Sequence, residues 1–387
     1  MITRTLGRDS SASFDLDFVR GVSALIVLVG HWRNLFFVAY QDVAGPTLLD
    51  KAIYFLTGYG HQAVMVFFVL SGFLVGSGVV RSMERGEWSW SRYAVNRFTR
   101  LYVVLVPALL CCWLLDRLGM AVNGIHGIYA GGGYNGILPE PVADRHSLVV
   151  FLGNLAFVQT ILVPTFGSNG PLWSLANEFW YYVLFPLLWV FAKRPLRPDG
   201  LLAGAALIAG LVFVRPHIAW LFGVWLMGAA LAFAPLPSLL SRRWIKWLAA
   251  LGFAAIAVLI RFKRLGEDVM PDYALGICFA TWLGAVLVGG ERPRPTWYRY
   301  LARYLSERSY TLYLTHLPLL VFAYAVLVQT RDQWQPSAYR YALAGTAPLA
   351  AMLYAEALWR LFEAKTDPVR RALTAKLLGR TPTHRGG

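Results

Sequence analysis

An arginine and a histidine bracket the first apolar run of this chain: Arg20 opens it, His31 closes it, and no charged residue lies between them. As a helix the run would hold the two side chains ~16 Å apart. A histidine that deep in apolar surroundings either bonds a neighbouring helix or moves protons. Glu178 lies in another apolar run. A carboxylate accepting from one imidazole nitrogen makes the other a better base, though a buried arginine would be an equally ordinary partner. Arg97 and Arg100 stand three apart and share a helical face, where two guanidinium forks suit a polyphosphate; plain anchoring at a membrane surface is the alternative. Tyr310, Tyr313 and His316 form a polar stripe at the same spacing, lining a channel or bracing a bundle. Ser71 is a conceivable nucleophile. It has no base beside it in sequence, so close helix packing at Ser71-Gly72 explains it better.

Such residues must be positioned by helices in lipid. Of 387 residues 57% are hydrophobic and 15% charged, against about a quarter charged in soluble domains. Apolar runs predict spans near 18–40, 61–82, 93–118, 171–192, 200–214, 217–235, 244–260, 272–289, 309–329 and 338–362. The expected fold is therefore an all-α integral membrane protein, a bundle of about ten transmembrane helices. A further stretch, 147–165, is interrupted by Gly153, Asn154, Gln159 and Thr160. With both termini cytoplasmic, the inner segments hold 26 of the 36 Lys and Arg residues. A full span at 147–165 would invert that asymmetry, so a re-entrant or interfacial element on the outer side is expected there.

The same bias accounts for the net charge of +15 without nucleic acid. Cys111, Cys112 and Cys278 lie in apolar stretches and imply no disulfide framework. No cleavable leader is expected ahead of the first span. The chain divides into a cytoplasmic segment 1–17, a transmembrane domain 18–362 and a basic cytoplasmic tail 363–387. That tail reads as an amphipathic helix capped by Asp367, with Pro368 first and Val369, Leu373 and Leu377 toward lipid. The glycine-rich stretch 129–136 reads as a flexible outer loop.

In this topology His31 lies ~20 Å from the inner boundary, and Glu178, entering from outside, reaches the same depth. The two are expected to approach one another there. His316, on a helix entering from inside, is expected only ~10 Å deep. No HExxH or CxxC arrangement supports a metal, and no Walker or GxGxxG sequence supports nucleotide hydrolysis or nicotinamide binding.

Five stretches in order carry a resemblance. They are Leu16-Asp17-x-x-Arg20-Gly21 leading to His31; Phe67-Phe68-Val69-Leu70-Ser71-Gly72-Phe73; Arg97-Phe98-Thr99-Arg100; Gly170-Pro171-Leu172-Trp173-Ser174-Leu175-Ala176-Asn177-Glu178; and Ser309-Tyr310-Thr311-Leu312-Tyr313-Leu314-Thr315-His316. Together they resemble the acyltransferase 3 family of integral membrane enzymes. Asn177 and Phe179 depart from that family's usual pattern. The resemblance implies transfer of an acyl group, acetyl above all, from acyl-CoA to a sugar or other hydroxyl of a surface or exported glycan. It implies His31 as the base, with Glu178 or a water orienting it, and Arg20, Arg97, Arg100, Ser71, Tyr313 and His316 about the donor. The expected partners are membrane lipid, acetyl-CoA or another acyl-CoA, and a glycan or other hydroxyl acceptor, with no metal and no nucleic acid. The expected location is the bacterial cytoplasmic (inner) membrane. Direct transfer is the simpler form, an acyl-histidine its variant. The rival from another class is a proton-coupled transporter or flippase using the same buried groups.

Overall fold

The computed structural model describes residues 7, 9–124, 126–262, 269–291 and 293–379. Residues 1–6 and 8 of the expected cytoplasmic segment and 380–387 of the expected tail lie outside them. The helices are α1 Ser11–Phe36, α2 Leu48–Leu56, α3 Gly60–Glu84, α4 Trp90–Asn123, α5 Leu148–Leu155, α6 Leu172–Lys193, α7 Pro198–Phe213, α8 Pro216–Ala230, α9 Arg243–Arg261, α10 Met270–Val288, α11 Thr296–Leu327, α12 Ala338–Ala344, α13 Thr346–Leu361 and α14 Thr366–Leu378. Among the described residues extended pairing is limited to isolated bridges. Six of the helical segments are long and apolar enough to cross a membrane, and α7 and α8 are shorter apolar helices. The protein is an all-helical integral membrane protein.

Two helices are longer than their apolar cores. α1 begins at Ser11 and α11 at Thr296, well before the spans expected from about 18 and 309. Polar groups in and just ahead of their early turns pair with each other: Asp15 accepts from Tyr298 at 3.0 Å and pairs with Arg294, while Asp9 pairs with Arg303. These neutralised contacts let the helices continue past the point where hydropathy falls.

The segment 147–165 does not cross as a helix. α5 has 8 residues, ~12 Å, and the chain then folds back through Phe157 and Thr160 at positive φ. Asn154 holds the return, donating to Val150 O at 2.8 Å and Pro164 O at 3.0 Å and accepting from Phe166 N at 3.1 Å. Asp116 of α4 then accepts from Ser168 N at 2.9 Å, Ser168 Oγ at 2.6 Å and His146 Nε2 at 3.0 Å. That fixes the approach to α6.

Other expectations need correction. The span near 338–362 is two helices broken at Gly345. The tail helix begins at Thr366 without a side-chain cap, and Asp367 instead pairs with Arg370 at 2.9 Å. The stretch 129–136 is anchored: Tyr129 and Tyr134 are buried, and Asn135 donates to Asn34 O at 2.8 Å and Phe37 O at 3.1 Å. Its glycine turns fit this loop onto the end of α1.

Close packing is set by glycine. A Cβ on Gly72 would lie 2.0 Å from Trp225 O and one on Gly228 1.9 Å from Val69 O, so α3 and α8 meet backbone to backbone. A Cβ on Gly21 would lie 2.3 Å from Leu305 Cβ, which puts α1 equally close to α11.

Candidate active site

α1 and α11 run parallel in a nearly constant register. Arg20 bonds Ser306 at a sequence offset of 286, and His31 bonds His316 at an offset of 285. Two polar layers therefore stand on one helix pair, ~16 Å apart. Gly21 makes this possible by admitting Leu305 against α1.

The upper layer is the histidine pair. His31 Nδ1 and His316 Nε2 are 2.7 Å apart and the rings stack at 14°. His316 Nδ1 lies 3.0 Å from Leu312 O and 2.8 Å from Tyr313 O. A carbonyl only accepts, so His316 Nδ1 carries the proton. With one proton on each ring, His316 Nε2 accepts from His31 Nδ1, and His31 Nε2 keeps a free lone pair. Among the described residues no carboxylate bonds either ring. His316 is 1% exposed. His31 is only half-buried. The outer ring is thus reachable and the inner one holds it.

Pro318 helps shape this turn. Lacking an N–H, it leaves Leu314 O without its helical donor, and Asn169 Nδ2 supplies one at 2.8 Å. Pro186 does the same in α6, freeing Tyr182 O for Tyr93 OH at 2.9 Å. The approach to α6 and the start of α4 are tied to the bundle by these exposed carbonyls.

The lower layer lines a cavity of about 190 Å³ walled by Arg20, Arg97, Arg100, Ser71, Glu178 and Tyr313 among others. Five of these, Arg20, Arg97, Arg100, Ser71 and Tyr313, were expected about one ligand; Glu178 was expected with His31 instead. The histidines do not line the cavity. The expected approach of Glu178 to His31 does not occur. Glu178 accepts from Ser71 Oγ at 2.9 Å and from Tyr182 OH. On α6, which descends past Ser174 at the level of Tyr313 (2.7 Å between hydroxyls), Glu178 falls a further turn toward the arginines. That leaves it ~10 Å below the histidines. Both histidines stand ~30 Å from the beginnings of their helices. His316 is level with His31, where a position ~10 Å shallower was expected.

The three arginines differ. Arg20 bonds Asp17 at 3.3 Å and Ser306, which itself donates to Asp17 at 2.7 Å. Arg100 donates to Glu363 at 2.5 Å, and Glu363 also accepts from Thr311 N at 3.2 Å and Thr311 Oγ1 at 2.5 Å. Arg97 lies between the rings of Tyr93 and Tyr182 at 5.7 and 5.5 Å, with its Nε buried and unpartnered. Among the described residues no carboxylate pairs with it. Arg97 is the cation left for an anion.

Ser71 is more than a packing residue: its Oγ donates to Glu178 and accepts from Trp225 Nε1 at 3.2 Å. Close packing belongs to its neighbour Gly72. Tyr313 joins the layers, lining the cavity while its ring lies 6.0 Å from that of His316. Sequence reasoning missed Tyr182, Ser306, Trp225 and Glu363. Tyr182 was findable, standing one helical turn after Glu178; the other three depend on helix register.

The site is thus a basic cavity below an oriented, half-buried imidazole in a helical membrane bundle. The chain belongs to the acyltransferase family described as "Acyltransferase domain", whose model matches residues 14–356. It is 25% identical over 348 residues to "Peptidoglycan O-acetyltransferase OatA" of Listeria monocytogenes serovar 1/2a (strain ATCC BAA-679 / EGD-e), covering 81% of this chain and 51% of that protein. It is 31% identical over 204 residues to "Acyltransferase MdmB" of Streptomyces mycarofaciens, covering 52% and 45%. To "O-acetyltransferase OatA" of Staphylococcus aureus (strain NCTC 8325 / PS 47) it is 29% identical over 185 residues, covering 41% and 30%. The chain thus spans about half the length of the first of these relatives, and less of the others. No solved structure matches it.

Proposed function

We propose that the protein is a membrane O-acyltransferase. It moves an acyl group, acetyl first among the candidates, from acyl-CoA to a hydroxyl of a surface or exported glycan. The carrying observation is the histidine pair, in which His316, itself locked by backbone carbonyls, leaves His31 Nε2 free to accept a proton. Relatives named for acetyl transfer support the reaction class, and the Listeria name supports a glycan acceptor.

In the proposed step, His31 Nε2 takes the proton of the acceptor hydroxyl while its oxygen attacks the thioester carbonyl. The carbon–sulfur bond breaks, and the thiolate leaves as CoA thiol by taking that proton from the imidazolium. Arg97, with Arg20 and Arg100, draws the donor's phosphates to the lower layer. Ser71, Glu178 and Tyr313 line the way between. In this reading the arginine end faces the cytoplasm, both termini lie there, and the membrane is the bacterial inner membrane, consistent with the Lys/Arg bias of the sequence.

The test is His31→Ala in purified protein, supplied with acetyl-CoA and glycan extracted from the native surface. Release of free thiol should fall roughly 100-fold or more, and NMR of surface glycan from cells carrying the variant should lose its O-acetyl signals. Undiminished acylation by folded His31→Ala would remove this mechanism. Proton-coupled uptake without thiol release would identify a transporter instead.

A further inference from the structure

The basic cavity does not end at Arg97. It shares Leu74, Val75 and Arg97 with a second hollow of about 150 Å³, which shares Trp88 with a groove of about 820 Å³. The three hollows adjoin one another down α3 and around the loop that joins it to α4. The upper wall, at Leu70, Leu74 and Val75, is apolar. The lower wall changes character to Trp88, Arg92, Tyr93 and Asn96.

Three features of that lower wall point to a ligand. Trp88 packs against Trp90 and Tyr93, with ring centroids 5.1 and 5.0 Å away, yet its indole Nε1 is buried without an acceptor. Arg97 has an unpartnered Nε, as described above. Arg92 lies on the same helix about 7.5 Å nearer its start, and among the described residues no carboxylate pairs with it. An aromatic surface with a spare N–H donor suits a purine, which offers both a π face and ring-nitrogen acceptors. Two unpaired guanidinium groups a turn and a half apart suit two separate phosphates. Glu87, on the same wall, can accept from a ribose hydroxyl or an exocyclic amine.

We propose that the α3–α4 loop and the first two turns of α4 form the subsite for the adenosine 3′,5′-bisphosphate end of the donor. Trp88 receives the base, Arg92 the 3′-phosphate and Arg97 the pyrophosphate. The apolar wall then carries the pantetheine arm up to Ser71. This assignment rests on the acyl-CoA reading given above and adds to it the residues that distinguish CoA from a bare pantetheine thioester.

The test compares acetyl-CoA with acetyl-dephospho-CoA, which lacks only the 3′-phosphate, as donors for the protein in lipid nanodiscs. Wild type should prefer acetyl-CoA, and Arg92→Ala should reduce that preference, as a ratio of kcat/KM values, roughly tenfold or more. Arg92→Lys should restore part of it. Adenosine 3′,5′-bisphosphate alone should inhibit wild type competitively and Trp88→Ala much less, with Trp88→Phe between them. A ratio of donors is insensitive to partial misfolding. An unchanged ratio in Arg92→Ala, with wild type still consuming acetyl-CoA, would overturn the subsite and leave the acyltransferase reading intact. Failure of wild type to bind or turn over either donor would overturn both.

Discussion

The arrangement of the histidines makes a prediction that separates orientation from chemistry. His316→Ala removes the acceptor for His31 Nδ1–H, a bond of 2.7 Å in a site where His316 is 1% exposed. Leaving a buried donor unsatisfied costs about 1–3 kcal/mol, so turnover should fall roughly 5- to 150-fold. His31 should also lose its fixed tautomer, since nothing would then hold the proton on Nδ1. The two conservative replacements should differ. Glutamine can place an oxygen near the position of Nε2 and still accept from His31, whereas asparagine reaches only as far as Nδ1. His316→Gln should therefore retain more activity than His316→Asn. The assay is thiol release from acetyl-CoA with glycan present, run also in a His31→Ala background. If His316 acts through His31, its replacement should cost nothing further there, because residues that work as one unit are strongly non-additive. An equal fold-loss in both backgrounds would refute the reasoning and leave His316 a structural brace.

Two further outcomes follow from packing and charge. Gly21→Ala puts a carbon 2.3 Å from Leu305 Cβ and 2.9 Å from Leu305 C, so α1 and α11 must part by ~1 Å at a cost of about 1–3 kcal/mol; thermal unfolding in detergent should show a lower Tm, and an unchanged Tm would mean that the parallel pair is looser than drawn. Glu363→Gln should move stability and affinity in opposite directions. Glu363 is only 4% exposed by side chain and also holds Thr311, so the variant should unfold at a lower Tm, while freeing Arg100 for the donor should lower KM for acetyl-CoA. A raised KM would show that Arg100 does not face the ligand.

Much of this was readable in the sequence, for identifiable reasons. Apolar runs located the helices because lipid exposure demands them, and the break at Asn154 and Gln159 correctly marked a segment that folds back. The six cavity residues were recognisable because each is a polar group that an apolar span does not need. Depth was not readable. Hydropathy marks where a helix meets lipid, not where it begins, and the polar turns that lengthen α1 and α11 satisfy one another through Asp15, Arg294 and Tyr298. The register of α1 against α11 sets the histidines on each other, and that of α6 sets Glu178 against Ser71 and Tyr182. Glu363 was hidden for a different reason: it lies beyond the residues 14–356 matched by the family and reaches Arg100 only through the fold.

The separation of the two layers bears directly on the proposed reaction. In the proposed reaction, a donor held by Arg97 would thread its arm past Leu74 and Ser71 toward Tyr313, the cavity residue whose ring lies 6.0 Å from that of His316. The Tyr313 ring is braced on both sides, by Phe67 with centroids 5.8 Å apart and by the 2.7 Å bond from its hydroxyl to Ser174. An acyl group and His31 Nε2 must share an acceptor oxygen, so the thioester has to pass this ring or the ring has to turn. The local restraint on such a turn is the Ser174 bond, with a longer donation from the Tyr313 hydroxyl to Pro171 O at 3.5 Å; a neutral hydrogen bond of this kind is worth about 0.5–1.5 kcal/mol net. A restraint of that size would yield to a bound donor, since a difference of ~1.4 kcal/mol in binding shifts such an equilibrium tenfold. Keeping the thioester from the histidine until the donor is fully seated would also keep it from water.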